Sequence, residues 1–218
     1  MLDITTTSGT IRAYLALPAH TPAPGVLVLH AWWGLTPFVH HICDQLAEAG
    51  FVALAPDMFQ GRTANTVEAA QAMLEEHDDA HVQAAVAGAA EALLAHPAVS
   101  GPIAVLGFSF GAAWALLMTS ERPEDIHAAV LFYGSYSADF NVSQAAYLGH
   151  FAENDPWEPL DGIHQMEADL RTAGRHTRFY IYPGTQHWFV ETDRPEYNPE
   201  AAALAWERTI TFLNEQFK

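Results

Sequence analysis

Five short apolar runs constrain this chain more than anything else in it. They are "GVLVLH" from Gly25, "FVALA" from Phe51, "IAVLG" from Ile103, "AAVLFY" from Ala128 and "AYLGH" from Ala146. None alternates apolar with polar residues, as a strand wetted on one face does, so each reads as a strand covered on both faces. Two more polar runs, Leu2–Thr7 and Ile11–Leu17, flank Ser8-Gly9, a hairpin signal, and Thr177–Tyr182 supplies a last strand.

Helical segments fill the spaces between the runs. Thr36–Glu48 places Val39, Ile42, Cys43 and Leu46 on one face, and Val67–Ala95 is expected to break near His77–Ala80. Phe110–Ser120 and Leu160–Ala173 follow. The last helix opens on Asn198-Pro199, a cap and first-turn pair, and Trp206, Ile210, Leu213 and Phe217 recur as its expected buried stripe. A hairpin followed by strand–helix alternation predicts an α/β fold: a mostly parallel twisted sheet of about eight strands, helices on both faces.

With 218 residues, half of them hydrophobic, the chain is expected to form a single domain over 1–218; nothing in it reads as a linker. Nine basic against 26 acidic residues give a net charge of −17, which disfavours nucleic acid and anionic membrane surfaces as partners. One cysteine precludes an intrachain disulfide. No basic leader opens the sequence, and no apolar run reaches the ~18 residues of a membrane span. A soluble, cytoplasmic protein is expected, as monomer or homodimer.

Chemistry enters at "GFSFGAAWALL". Ser109 stands between the strand ending at Gly107 and the helix beginning at Phe110, a G-x-S-x-G in strand–turn–helix context. Such a turn lifts a hydroxyl above the sheet and aims a helix N-terminus at it. The plainer reading makes Ser109 a helix cap. As a nucleophile it requires a base, and the base an orienting acid, following in the order Ser, acid, His. Asp155 in "HFAENDPWEP" and His187 in "YIYPGTQHWFV" each follow a strand and meet that order. Asp139 is the competing acid and His150, inside a strand, the weaker base. Donors for an oxyanion are expected from the main-chain amides of Phe110 and, in the loop "AWWGL", of Trp32.

The landmarks "VLVLHAWWGL", "GFVALAPDMFQG", "GFSFGAAWAL", "ENDPWEP", "YPGTQHWF" and "AAALAWERTITFL" resemble, in register over nearly the whole chain, those of the dienelactone hydrolase family. The resemblance implies an α/β-hydrolase fold without a cap domain and a serine-nucleophile variant. Its site is Ser109, Asp155 and His187, with oxyanion donors at Trp32 and Phe110. It implies hydrolysis of a small carboxylic ester or lactone through an acyl-serine intermediate, with no metal and no organic cofactor. The alternatives are thioester, amide or acyl-transfer chemistry on the same residues, or a binding protein of the same fold. Three departures stand out. Serine replaces the family's cysteine, Ala31 its thiol-managing glutamate, and Glu191 falls at or near its carboxylate-binding arginine. An acid at 191 would repel an anionic lactone. Loop aromatics Trp33, Phe38, Tyr136, Trp157 and Trp188 are the expected substrate wall, suited to an uncharged substrate.

Other polar clusters read as bystanders. His77 and His81 share a helix face without a third metal ligand, Cys43 belongs to a buried face, and Arg62 is the early loops' cation. Glu191, Asp193, Glu196 and Glu200 read as a solvated acidic loop, with the lining of an entrance as the alternative.

Overall fold

The computed structural model describes all 218 residues, which form two compact units, 1–103 and 104–218. The first unit carries β1 (Leu2–Thr6), β2 (Gly9–Ala16), β3 (Gly25–Leu29), α1 (Pro37–Glu48), β4 (Val52–Pro56), α2 (Val67–Glu75) and α3 (Asp79–Leu94). Its strands lie in the order β1-β2-β4-β3. The hairpin places Ile4 opposite Ile11; β2 runs antiparallel to β4, and β3 parallel to it with Leu27 opposite Leu54. Every residue of β3 and β4 is buried, as their unbroken apolar runs require.

Phe38, Val39, Ile42, Cys43 and Leu46 form the buried face of α1. Cys43 is fully buried, which pushes its thiol well up and leaves it inert. The expected break in the alanine-rich stretch falls between Glu75 and Asp79, where the Asp78 carboxylate leaves the helix to cap α3 by accepting from the Ala80 amide at 3.0 Å.

The second unit holds β5 (Ile103–Phe108), α4 (Phe110–Glu121), β6 (Ile126–Phe132), β7 (Ala146–Ala152), α5 (Leu160–Thr172), β8 (Thr177–Tyr182) and α6 (Pro199–Gln216). Its strand order is β5-β6-β7-β8. β6 runs parallel to β7 with Val130 opposite Leu148, and β7 parallel to β8 with Gly149 opposite Phe179. The segment joining β6 to β7, residues 133–145, contains no helix.

Asn198 caps α6 by accepting from the Ala201 amide at 3.0 Å. The buried stripe of this helix differs from the expected one. Ala205, Thr209, Phe212 and Leu213 are buried, while Trp206, Ile210 and Phe217 flank the seam, partly exposed. A polar group rotates the helix: the Thr209 hydroxyl meets the buried His150 Nε2 at 3.0 Å, an interaction that apolar periodicity does not register.

Candidate active site

Ser109 sits alone between β5 and α4 with φ 49° and ψ −113°, a conformation that costs a non-glycine residue roughly 1–3 kcal/mol. The turn is held from both sides: the Ser109 amide donates to the Phe132 carbonyl at 2.9 Å, and its carbonyl accepts from Ala112 at 2.8 Å. Two glycines permit the approach. A Cβ on Gly107 would stand 2.6 Å from the Ala112 Cα, and one on Gly134 would stand 2.6 Å from the Ser109 carbonyl oxygen. Ser109 occupies the N-cap position, yet its side chain makes no capping bond. The hydroxyl points elsewhere.

That partner is His187. Its Nε2 lies 2.9 Å from the Ser109 Oγ, and its Nδ1 lies 2.7 Å from the Asp155 Oδ2. The His187 and Asp155 side chains are 3% and 2% exposed, and Ser109 is half-buried. A neutral imidazole satisfies both neighbours in one tautomer: Nδ1–H donates to the carboxylate and Nε2 accepts from the hydroxyl. Asp155 also closes its own turn, its Oδ1 accepting from the Trp157 amide at 2.9 Å and the Glu158 amide at 3.1 Å. One residue thus both closes the Asp-Pro turn and contacts the imidazole. The two loops are tied together where the Asn154 amide donates to the Thr185 carbonyl at 3.0 Å.

The competing residues are occupied elsewhere. Asp139 accepts from the Asn141 amide and side chain at 3.1 and 3.2 Å. His150 is fully buried in β7, between the Tyr182 and Thr209 hydroxyls, and burial pushes its pKa down to about 3.

Two neighbours of the site were not singled out from the sequence. Tyr133, just past β6, lays its ring 4.8 Å from the His187 ring, centroid to centroid, and donates its hydroxyl to the Glu191 Oε1 at 2.9 Å. Glu158 accepts from the Ser135 hydroxyl at 2.6 Å, and burial pushes its carboxyl up. Their sequence clue was position: Tyr133, in "FYGS", follows a strand, and Glu158 lies in the loop of Asp155. Glu191 itself departs from expectation. It is 3% exposed rather than part of a solvated acidic loop, and burial pushes its carboxyl up to about 8. Burial thus opposes the negative charge by which an acid here was expected to repel an anion.

The expected aromatic wall divides. Trp188 is buried edge-on to His187 at 4.9 Å, and the half-exposed Trp157 lies 6.0 Å from it. Tyr136 is half exposed and lines, with Asp139 and Gln165 of α5, a separate groove of about 580 Å³. In the first unit Trp32, Trp33 and Phe38 are buried, and the Trp33 carbonyl accepts from the Ala64 amide at 3.0 Å. Arg62 pairs with Glu76 at 2.7 Å in solvent. His77 contacts Asp79 at 2.7 Å and His81 contacts Ser8 at 3.2 Å; no group of three or more His, Cys, Asp or Glu side chains is arranged to hold a metal.

A model of the dienelactone hydrolase family matches residues 11–217. The chain belongs to that family. A family relative from Aquifex aeolicus, named "Putative carboxymethylenebutenolidase", is 31% identical over 95% of this chain and 94% of its own length. Among solved structures, a dienelactone hydrolase-like promiscuous phosphotriesterase from metagenomic libraries superposes with a TM-score of 0.87. It is 23% identical and the match covers 100% of this chain and 98% of that one. A dienelactone hydrolase from Anabaena variabilis gives 0.74 at 19% identity, covering 100% and 97%. The fold is the α/β-hydrolase fold expected of the family: eight mostly parallel strands interleaved with helices, without a separate cap domain. No helix is long and apolar enough to cross a membrane. Against the family pattern, this member carries Ser109 as the nucleophile candidate, Ala31 where the glutamate is expected, and a buried acid at 191.

Proposed function

We propose that the protein is a serine hydrolase that cleaves a small carboxylic ester or lactone through an acyl-serine intermediate. One observation carries this reading: a hydroxyl, an imidazole and a carboxylate, from three separate loops, stand in line at 2.9 and 2.7 Å. His187 takes the proton from Ser109 as the oxygen attacks the substrate carbonyl, and Asp155 stabilises the imidazolium that forms. The oxyanion is received by the Phe110 amide, which opens α4 directly after the nucleophile. The family resemblance adds the Trp32 amide as second donor. His187 then returns its proton to the leaving alcohol, and a water activated by the same imidazole releases the acyl group. No step uses a metal or organic cofactor.

Serine and Ala31 belong together: an alcohol deprotonated by histidine requires no carboxylate to manage a thiolate. Trp157 and Trp188 beside the histidine favour a small substrate with an apolar, uncharged face. The absence of an arginine at 191 points the same way. Cytoplasmic location is proposed from a single, buried, unpaired cysteine.

A fluorophosphonate probe with peptide mapping tests the assignment. Labelling is expected at Ser109, with turnover of an activated ester reduced to background in Ser109→Ala. Undiminished labelling of the folded Ser109→Ala protein refutes it. Comparing kcat/KM across ester, thioester and anilide substrates then fixes the acyl class.

A further inference from the structure

One buried polar pair in the second unit takes no part in the steps above. Tyr133 is fully buried with φ 38°, and its backbone is anchored to β7 by its amide, which donates to the His150 carbonyl at 2.8 Å. The next residue, Gly134, packs on the Ser109 carbonyl. Tyr133 is therefore fixed to the same framework as the nucleophile.

Glu191 ends the turn that begins at His187. Trp188 has φ 65°, and the turn closes where the Glu191 amide donates to the Trp188 carbonyl at 2.8 Å. The 2.9 Å bond from the Tyr133 hydroxyl to Glu191 fastens this strained turn to the framework, four residues from the imidazole.

We propose that Glu191 is a positioning residue: held by the Tyr133 hydroxyl, it fixes the 188–191 turn and keeps the His187 imidazole in line with Ser109. The catalytic meaning of that role rests on the hydrolase reading above.

The chemistry of the pair gives the role a signature. Burial is the main force keeping Glu191 protonated; Asp193 and Glu196 add to it, while the Tyr133 hydroxyl and Arg194 oppose it. Tyr133 is itself faced by Glu191, Asp193 and Asp155, and burial first, then these charges, hold its hydroxyl protonated as a donor. His187 packs on its ring. If the turn opens, Glu191 meets water and ionises at the ordinary glutamate pKa of ~4.3. Opening therefore becomes easier as pH rises from there toward about 8, the folded value, and no easier beyond it. A glutamine at 191 accepts the same hydrogen bond and never ionises.

The test compares Tyr133→Phe, Glu191→Ala and Glu191→Gln by steady-state kinetics, by thermal melts that establish folding, and by the low-field proton NMR signal of the His187–Asp155 hydrogen bond. Tyr133→Phe and Glu191→Ala are expected to lower kcat about tenfold with KM within about twofold, and to broaden or abolish that signal. Glu191→Gln is expected to keep kcat at pH 7 and to lose less of it than the wild type between pH 7 and 8. Folded Tyr133→Phe and Glu191→Ala proteins with unchanged kcat and an intact signal overturn the proposal, as does Glu191→Gln behaving like Glu191→Ala. Loss of the signal in Tyr133→Phe, in a protein whose wild type shows no Ser109-dependent turnover, supports the positioning role and sinks the hydrolase reading alone.

Discussion

His150 and His187 belong to the same unit, are both buried, and are both contacted at each ring nitrogen, yet they are built for opposite ends. His150 lies between two hydroxyls, Tyr182 on Nδ1 and Thr209 on Nε2, and burial holds it neutral down to about pH 3. His187 has a carboxylate on Nδ1 and a hydroxyl on Nε2. Burial alone suppresses an imidazolium; a buried countercharge allows one to form. A buried histidine with two partners is thus a structural tie or a base according to whether one partner is an acid.

The strongest way to break this contrast is to remove each ring in turn. His187→Ala, or Asp155→Asn, is expected to lower kcat by roughly 10³–10⁴-fold, with a small change in melting temperature. His150→Ala is expected to do the reverse. It removes one partner from each of two hydroxyls, leaving Tyr182 with Arg208 and Thr209 with the Ala205 carbonyl, and opens a cavity, at about 2–4 kcal/mol of stability, while surviving folded protein keeps kcat within a few-fold. Chemical denaturation run beside ester kinetics separates the two outcomes. An inactive but fully stable His150→Ala would dissolve the distinction.

The contrast also explains what was legible in the sequence. The meeting of Ser109, Asp155 and His187 was readable because each is a reactive side chain in the turn or loop that follows a strand, in a fixed order along the chain. Five strands were readable from apolar runs, two from a hairpin signal and the last as Thr177–Tyr182, with no end moved by more than two residues. What escaped notice rests on polar groups inside the unit. The stripe of α6 turned because Thr209 pairs with His150, 59 residues away, and Glu191 was taken for a solvated acid although Tyr133, 58 residues away, receives it. Periodicity reads apolar burial; a buried polar pair is specified by two distant residues at once and leaves no local trace.

Next in size is the close approach beneath the nucleophile. Gly134→Ala places a Cβ 2.6 Å from the Ser109 carbonyl oxygen and 2.7 Å from the Ala112 Cβ. Backbone must move, and at a residue whose φ is already strained. A loss of about 1–3 kcal/mol in stability and at least about tenfold in kcat is expected. The His150 side chain takes its partners from Tyr182 and Thr209 rather than from this turn, so a crystal structure of the variant should show its two hydrogen bonds intact.

Glu191 extends the contrast to an acid. Its folded pKa of about 8 lies above the ~4.3 of an unfolded glutamate, so the folded state binds the extra proton. The stability this represents is fully present below about pH 4 and is lost as pH rises toward 8, at up to ~1.4 kcal/mol per pH unit. Denaturation curves from pH 5 to 8 should therefore fall for the wild type relative to Glu191→Gln. Parallel curves would mean that the carboxyl is charged in the folded protein.

The smallest effect separates the wall of the site from its machinery. Trp157 is half exposed and adjoins Trp188, and its main-chain amide donates to Asp155 at 2.9 Å. Trp157→Ala removes the ring and leaves that donor in place. If the ring does no more than shield and contact substrate, KM for an aromatic ester should rise about three- to tenfold, roughly the worth of one aromatic contact, with kcat unchanged. A fall in kcat instead would show that the indole stiffens the acid's turn. Asp155 would then depend on side-chain packing as His150 does, and the line drawn between the two histidines would have to be redrawn around their neighbours.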